Sequence, residues 1–159
     1  RADVMGYSMG ARIAAFLGLE QPSRVRSLIF GGLGIHLVDG VGLPSSIADA
    51  LEAPSLADVS DPTGHQFRSF AELTRSDLKA LAACIRGSRQ TLSREQVAAI
   101  QAPVLIAVGT NDNVAGSAQE LAALMPHAQA LDIPGRDHML AVGDKVFKAG
   151  AIEFLSAHK

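Results

Sequence analysis

A serine with a glycine two residues to either side, in Gly6-Tyr7-Ser8-Met9-Gly10, constrains this chain more than any other stretch. The G-x-S-x-G spacing marks a strand that turns sharply into a helix with a hydroxyl at the apex. To lift its Oγ clear of a sheet the serine must take a positive φ. A Cβ at the −2 or +2 position is expected to collide where strand and helix nearly touch, which accounts for Gly6 and Gly10. Taken alone, the pentapeptide fits a glycine-rich loop equally well. Its flanks supply the order that an elbow needs: Val4-Met5 end an apolar strand, and Ala11-Arg12-Ile13-Ala14-Ala15-Phe16-Leu17 is apolar on nearly every face, as a helix buried against a sheet should be.

At 159 residues, with 48% hydrophobic and 19% charged side chains, the chain is long enough for one domain with a substantial core. The formal net charge is −2 and the basic residues are scattered singly or in pairs such as Arg24 and Arg26, so there is no footprint for nucleic acid or an anionic membrane. The expected partner is a small molecule. One cysteine, Cys84, excludes an internal disulfide framework and a cysteine-rich metal site, and it fits the reducing environment of a cytoplasmic protein. Within Leu81-Ala82-Ala83-Cys84-Ile85 it reads as a buried helix position. No apolar run reaches the roughly 18 residues of a membrane span. Residue 1 is Arg rather than Met and the elbow follows within a few residues, so the chain reads as a fragment whose true amino terminus lies upstream.

Gln21-Pro22-Ser23 ends the first helix, and Val25-Arg26-Ser27-Leu28-Ile29-Phe30 reads as a strand closed by Gly31-Gly32. From there the apolar period becomes helical: Ile47 to Leu51, then Phe67, Phe70 and Leu73, then Leu78, Leu81 and Ile85. Ser93-Arg94-Glu95-Gln96 is a capping box heading a short helix from Gln96 to Ile100. Residues 36–97 are therefore expected to form a helical lid over one end of the sheet, inserted between core segments 1–35 and 98–159. Phe67, Phe70 and Leu73 share one helix face and are expected to turn inward onto a pocket. Pro103 to Gly109 is a continuous apolar strand followed by the polar turn Thr110-Asn111-Asp112-Asn113 and a helix from Ser117 to Leu124. Ala128 to Ile133 is a weaker strand, and the loop Arg136-Asp137-His138-Met139 leads into a helix from about Gly143 to Ala157. Val146, Phe147, Ala151, Phe154 and Leu155 share one face of that helix.

Strands alternating with helices indicate a parallel sheet, and functional groups gather beyond the carboxyl ends of such strands. Ser8 follows the first strand, Asp112 the third and His138 the fourth, in the order Ser, Asp, His. A serine hydroxyl is a poor nucleophile until an imidazole takes its proton, and the imidazole needs a carboxylate to fix its tautomer. Asp137 and Asp144 are alternative carboxylates, but neighbours of a histidine in sequence seldom point at its ring. His36, His65, His127 and His158 read as surface or packing residues. They show no metal-ligand spacing, and no phosphate-binding glycine loop is present, so no cofactor is expected.

With these residues in place, essentially all of the chain resembles the second half of the α/β-hydrolase superfamily fold, from its fifth strand to its last helix. The resemblance implies a parallel sheet flanked by helices, without the family's first four strands. It makes Ser8 the nucleophile, Asp112 the acid and His138 the base. Gly109-Thr110-Asn111-Asp112 resembles the family's acid loop, and Pro134-Gly135-Arg136-Asp137-His138 its histidine loop. Gly6 through Arg12 resembles the small-ester and enol-lactone hydrolase branch. The elbow serine argues against the haloalkane dehalogenase and epoxide hydrolase branches, which carry aspartate there. The implied activity is cleavage of a carboxylic ester or lactone through an acyl-enzyme. Thioester cleavage, carbon-carbon hydrolysis and perhydrolysis use the same three residues and stay open, as does a non-catalytic hydrolase-like binding chain. The Met9 N–H, first in the helix after the elbow, is the expected half of an oxyanion hole. Tyr7 either lines the pocket or packs under the lid, and Met139 is a further pocket candidate. Without the first four strands the elbow strand becomes a sheet edge, through which a homodimer is expected, and the chain alone is expected to be a poor enzyme.

Overall fold

The structure is a computed structural model that describes residues 1–40, 44–87 and 90–159. Four strands, β1 (Ala2–Tyr7), β2 (Val25–Gly31), β3 (Val104–Gly109) and β4 (Ala128–Ile133), form one parallel sheet in the order β1-β2-β3-β4. The helices are α1 (Met9–Glu20), α2 (His36–Asp39), α3 (Ser46–Glu52), α4 (Pro62–Leu73), α5 (Leu78–Gly87), α6 (Arg94–Ala98), α7 (Ala118–Ala122) and α8 (Lys145–Ala157). The chain divides into two compact units, Arg1–Gly42 with Thr91–Lys159, and Leu43–Gln90.

The first unit is built on the two-residue period of its strands. Side chains of a strand point alternately to opposite faces, so an unbroken apolar strand feeds two cores at once. In β3, Val104, Ile106 and Val108 enter one core, while Leu105 and Ala107 enter the other. β2 divides in the same way, Leu28 and Phe30 against Ile29. On the first face the sheet packs against Ala11, Ala14 and Ala15 of α1, Leu37 of α2, Val97 of α6 and Leu121 of α7. The second face is covered by Phe147, Ala151 and Phe154 of α8. α1 buries one stripe only: Ala11, Ala14, Ala15 and Gly18 face the sheet, and Ile13 is 61% exposed. Small side chains bring this helix close to the strands, so its larger apolar residues lie on the far side, contrary to the all-round burial that composition suggests.

The segment expected to be an insertion over 36–97 is helical in its described residues, but the compact second unit is narrower, at 43–90. α2 and α6 belong to the first unit because Leu37 and Val97 are fully buried in its core, and the Leu92 N–H donates to the Leu37 carbonyl at 3.1 Å. The capping box is formed as expected, with Ser93 N–H to Gln96 Oε1 at 2.8 Å and Gln96 N–H to Ser93 Oγ at 3.2 Å, and the helix it heads, Arg94–Ala98, starts two residues earlier than the one read from sequence.

The second unit packs α3, α4 and α5 around Ile47, Ala48, Leu51, Ala71 and Ala82. Its α4 corrects the expected inward face. The buried stripe is Gly64, Arg68 and Ala71, while Phe70 is 49% and Leu73 81% exposed; Phe67 packs on this unit's own core. The rotation has a polar cause. The Arg68 guanidinium Nη1 donates to the carbonyls of Ala50, Leu51 and Ala53 at 3.0, 3.0 and 2.8 Å, and Nε to Glu72 at 2.7 Å. It thus supplies a donor to the carbonyls at the end of α3, of which that of Ala50 also accepts the Ala53 N–H at 3.4 Å. Cys84 is exposed rather than buried, because α5 turns Leu78, Leu81, Ala82 and Ile85 inward and leaves residue 84 on the outer face. No helix among the described residues is long and apolar enough to cross a membrane.

Replacing Arg68 with Met keeps the apolar stem and removes the donors. Arg68→Met is expected to destabilise the second unit by about 2–4 kcal/mol, since two buried carbonyls and one partly buried carbonyl lose a charged partner. Urea unfolding, with hydrogen exchange at the α3 amides as a local probe, checks this; an unchanged midpoint would show that water replaces the guanidinium.

Candidate active site

The turn from β1 into α1 places Ser8 at φ 54° and ψ −113°, and Ser8 and Arg75 are the only non-glycine residues with positive φ among those described. Strain of this kind costs about 1–3 kcal/mol and persists only where its surroundings fix it. Here the Ser8 N–H donates to the Gly31 carbonyl at 2.7 Å, and its own carbonyl accepts from Ala11 and Arg12 at 3.1 and 3.2 Å. Strand and helix are in closest contact at Gly6, where a Cβ would lie 2.1 Å from the Gly10 carbonyl oxygen and 2.5 Å from the Ala11 nitrogen. A Cβ on Gly10, by contrast, would meet nothing within 4 Å. The steric demand expected at both glycines therefore falls on Gly6 alone: the strand residue points its missing Cβ at the helix backbone, and the helix residue points its own into open space.

His138 and Asp112 come from the loops after β4 and β3, and backbone contacts bind these loops together. A Cβ on Gly109 would stand 2.1 Å from the Arg136 carbonyl oxygen, so glycine is required where the loops cross. The Asn111 N–H donates to that carbonyl at 3.0 Å, and the Gly135 N–H donates to Thr110 Oγ1 at 2.8 Å. In the sequence Gly109 and Thr110 read as the end of a strand and the start of a turn that resembles an acid loop; their part in holding that loop against the histidine loop is tertiary.

These loops bring Ser8, His138 and Asp112 into one line. Ser8 Oγ lies 2.9 Å from His138 Nε2, and His138 Nδ1 lies 2.8 Å from Asp112 Oδ2. The Asp112 carboxylate is fully buried and the His138 side chain 7% exposed. Oδ1 of Asp112 accepts the N–H groups of Val114 and Ala115 at 2.8 and 3.0 Å, so the carboxylate is held at both oxygens. With Nδ1–H donating to Asp112, Nε2 is left as an acceptor for the serine proton. The alternative carboxylates are engaged elsewhere. Asp137 accepts the Met139 and Leu140 N–H groups, and Asp144 caps α8 through the Val146 N–H and pairs with Arg136 at 2.6 Å. That backbone bond, and then Arg136, hold the Asp144 carboxyl below its ordinary range.

The other sequence candidates sit as follows. Met9 opens α1, so its N–H has no acceptor within the helix, and its side chain is 38% exposed. Tyr7 is half-buried, and its hydroxyl donates to the His138 carbonyl at 2.6 Å. Met139 is half-buried in the histidine loop. Phe67 and Phe70 lie in the second unit. His36 holds the Val114 carbonyl through Nδ1 at 2.8 Å and is a packing residue. An open cleft of about 370 Å³ lies behind the acid loop, lined among others by Thr110, Asp112, Ser117 and Asp132; neither Ser8 nor His138 borders it. No cluster of His, Cys, Asp and Glu among the described residues is arranged to hold a metal ion.

No protein-family model and no curated protein matches this chain. Solved structures do. A hydrolase from Pseudomonas aeruginosa PA01 superposes with a TM-score of 0.75 at 23% identity, over 98% of this chain and 64% of its own. The enol-lactonase from Burkholderia xenovorans LB400 gives 0.71 at 15% identity, over 98% and 66%, and a marine microorganism esterase 0.64 at 18%, over 94% and 68%. The chain thus spans about two thirds of the length of these structures, and over that span it has the α/β-hydrolase fold.

The one-sided contact at the elbow separates the two glycines experimentally. Gly6→Ala is expected to destabilise the chain by about 3 kcal/mol or more through overpacking against backbone, whereas Gly10→Ala should be neutral or stabilising by up to about 1 kcal/mol, as for a helical glycine. Thermal and urea unfolding of both variants checks this, and equal effects would contradict the asymmetry.

Proposed function

We propose that this chain, with its α/β-hydrolase fold, is the nucleophile-bearing part of a serine hydrolase that cleaves a small carboxylic ester or lactone. The observation that carries the reading is the continuous line from Ser8 Oγ through both His138 nitrogens to a buried Asp112, with contacts of 2.9 and 2.8 Å. In this reading Ser8 Oγ attacks the acyl carbon as its proton passes to His138 Nε2. The imidazolium so formed is stabilised by Asp112, which stays ionised. Negative charge moves to the carbonyl oxygen, where the Met9 N–H at the start of α1 is placed to donate. Collapse breaks the bond to the alkoxy oxygen, which takes the proton from Nε2–H and leaves as alcohol. Water then attacks the acyl-serine with His138 as base, releasing the carboxylic acid and restoring the serine. Strain at Ser8 and the hydrogen bond from its N–H to Gly31 support the reading, since they hold the hydroxyl at the sheet's carboxyl end before substrate arrives.

The esterase and the enol-lactonase among the similar structures favour an ester or lactone over a thioester or a carbon-carbon bond.

Ser8 is expected to react covalently with a fluorophosphonate probe, and Ser8→Ala to abolish the mass increase. Labelling that persists in the alanine variant would remove Ser8 from its role. With p-nitrophenyl acetate as substrate, Asp112→Asn should lower kcat by up to about 10⁴-fold, because the amide favours the wrong imidazole tautomer. A loss below about tenfold would show that another group orients the base.

A further inference from the structure

We infer that Tyr7 is a positioning residue: it latches the histidine loop to the nucleophile strand by donating its hydroxyl to the His138 carbonyl across the end of β2. The inference rests on the hydrolase reading of Ser8 and His138.

Ser8 follows β1 and His138 follows β4, with β2 and β3 lying between those strands in the sheet. The acid and the base share adjacent strands and stitched loops, but the nucleophile stands two strands away. Tyr7, the last residue of β1, lays its ring against the end of β2, and its hydroxyl meets the carbonyl of His138 in the incoming histidine loop at 2.6 Å. The bond is made to the backbone of the histidine, which leaves both ring nitrogens to Ser8 and Asp112.

The path of the ring is cut into β2. A Cβ on Gly31 would lie 2.5 Å from Tyr7 Cδ2, and one on Gly32 would lie 2.7 Å from Tyr7 Cζ. The Gly31-Gly32 pair, which the sequence presents as a strand terminator, is therefore the seat of this ring. Phe147 packs on it edge-on at 6.1 Å and 78°, and the His138 ring lies at 5.5 Å. Burial first, and then the nearby Asp112 and Asp137 carboxylates, push the phenol up from its ordinary value, so the hydroxyl stays a donor throughout the neutral range. A phenylalanine would fill the same seat and hold nothing. The hydroxyl is thus the part of Tyr7 that fixes where the base stands relative to the strand carrying Ser8.

The test compares Tyr7→Phe with wild type in the full protein, with folding checked by urea unfolding. For p-nitrophenyl acetate, kcat is expected to fall about 10- to 100-fold with KM within about twofold, and the rate of fluorophosphonate labelling to fall in parallel. A readout independent of turnover is the downfield imidazole N–H proton in the NMR spectrum, assigned by its loss in His138→Gln. In Tyr7→Phe its exchange with solvent is expected to be at least about tenfold faster, because the histidine loop has lost its anchor. Kinetics and exchange both within about twofold of wild type would overturn the inference and leave Tyr7 as packing. A wild-type protein that the probe does not label would instead defeat the hydrolase reading, and proton exchange in Tyr7→Phe would still decide whether the latch exists.

Discussion

The approach of β1 to α1 at Gly6 is the contact on which the remainder of the site depends. With a Cβ there only 2.1 Å from the Gly10 carbonyl, the two elements can be this close only if residue 6 is glycine. That closeness forces Ser8 into a positive φ, puts its hydroxyl beyond the sheet's carboxyl end and leaves the first amides of α1 beside it. The small residues of α1 that face the sheet, Ala11, Ala14 and Ala15, continue the same close approach along the helix. The strain at one residue is offset by packing along the buried stripe of α1.

A second constraint works largely through backbone. The acid and histidine loops cross where Gly109 has no Cβ, and two further hydrogen bonds join them before Asp112 and His138 themselves meet. Asp112 then uses one oxygen on the histidine and the other on two backbone amides. A carboxylate held at both oxygens has a fixed position and orientation against the imidazole ring, as the proposed proton transfer requires. The second unit meets a comparable demand with a charge: Arg68 is buried because three carbonyls at the end of α3 need a donor, and the helix carrying it turns accordingly.

Much of this was legible from residue order. The βαβ unit around the elbow, the apolar run of β3, the helical character of the middle segment and the order Ser8, Asp112, His138 all rest on local signals: period, glycine spacing and turn chemistry. What went wrong did so where a neighbour distant in sequence decides. Phe70 and Leu73 look like the inner face of α4 until Arg68 is seen to bind carbonyls from another helix. Cys84 sits in an apolar run of which Leu81, Ala82 and Ile85 take the buried face. Gly10 appears as constrained as Gly6 because spacing carries no information about which side of a contact holds the missing Cβ.

By itself, then, the sequence determined the four strands and the helices other than α2, that they alternate around the core, and that a serine, an aspartate and a histidine follow three parallel strands, since each of these is written in residues within a few positions of one another. Only the tertiary structure decided that His138 turns to Asp112 rather than to Asp137 or Asp144, that Gly31 and Gly32 make room for Tyr7, and that Gly109 lets two loops cross. The reason is physical. Distances of 2.8 and 2.9 Å between groups 26 and 130 residues apart depend on the register of neighbouring strands and on van der Waals contact between loops, and neither is encoded at any single position.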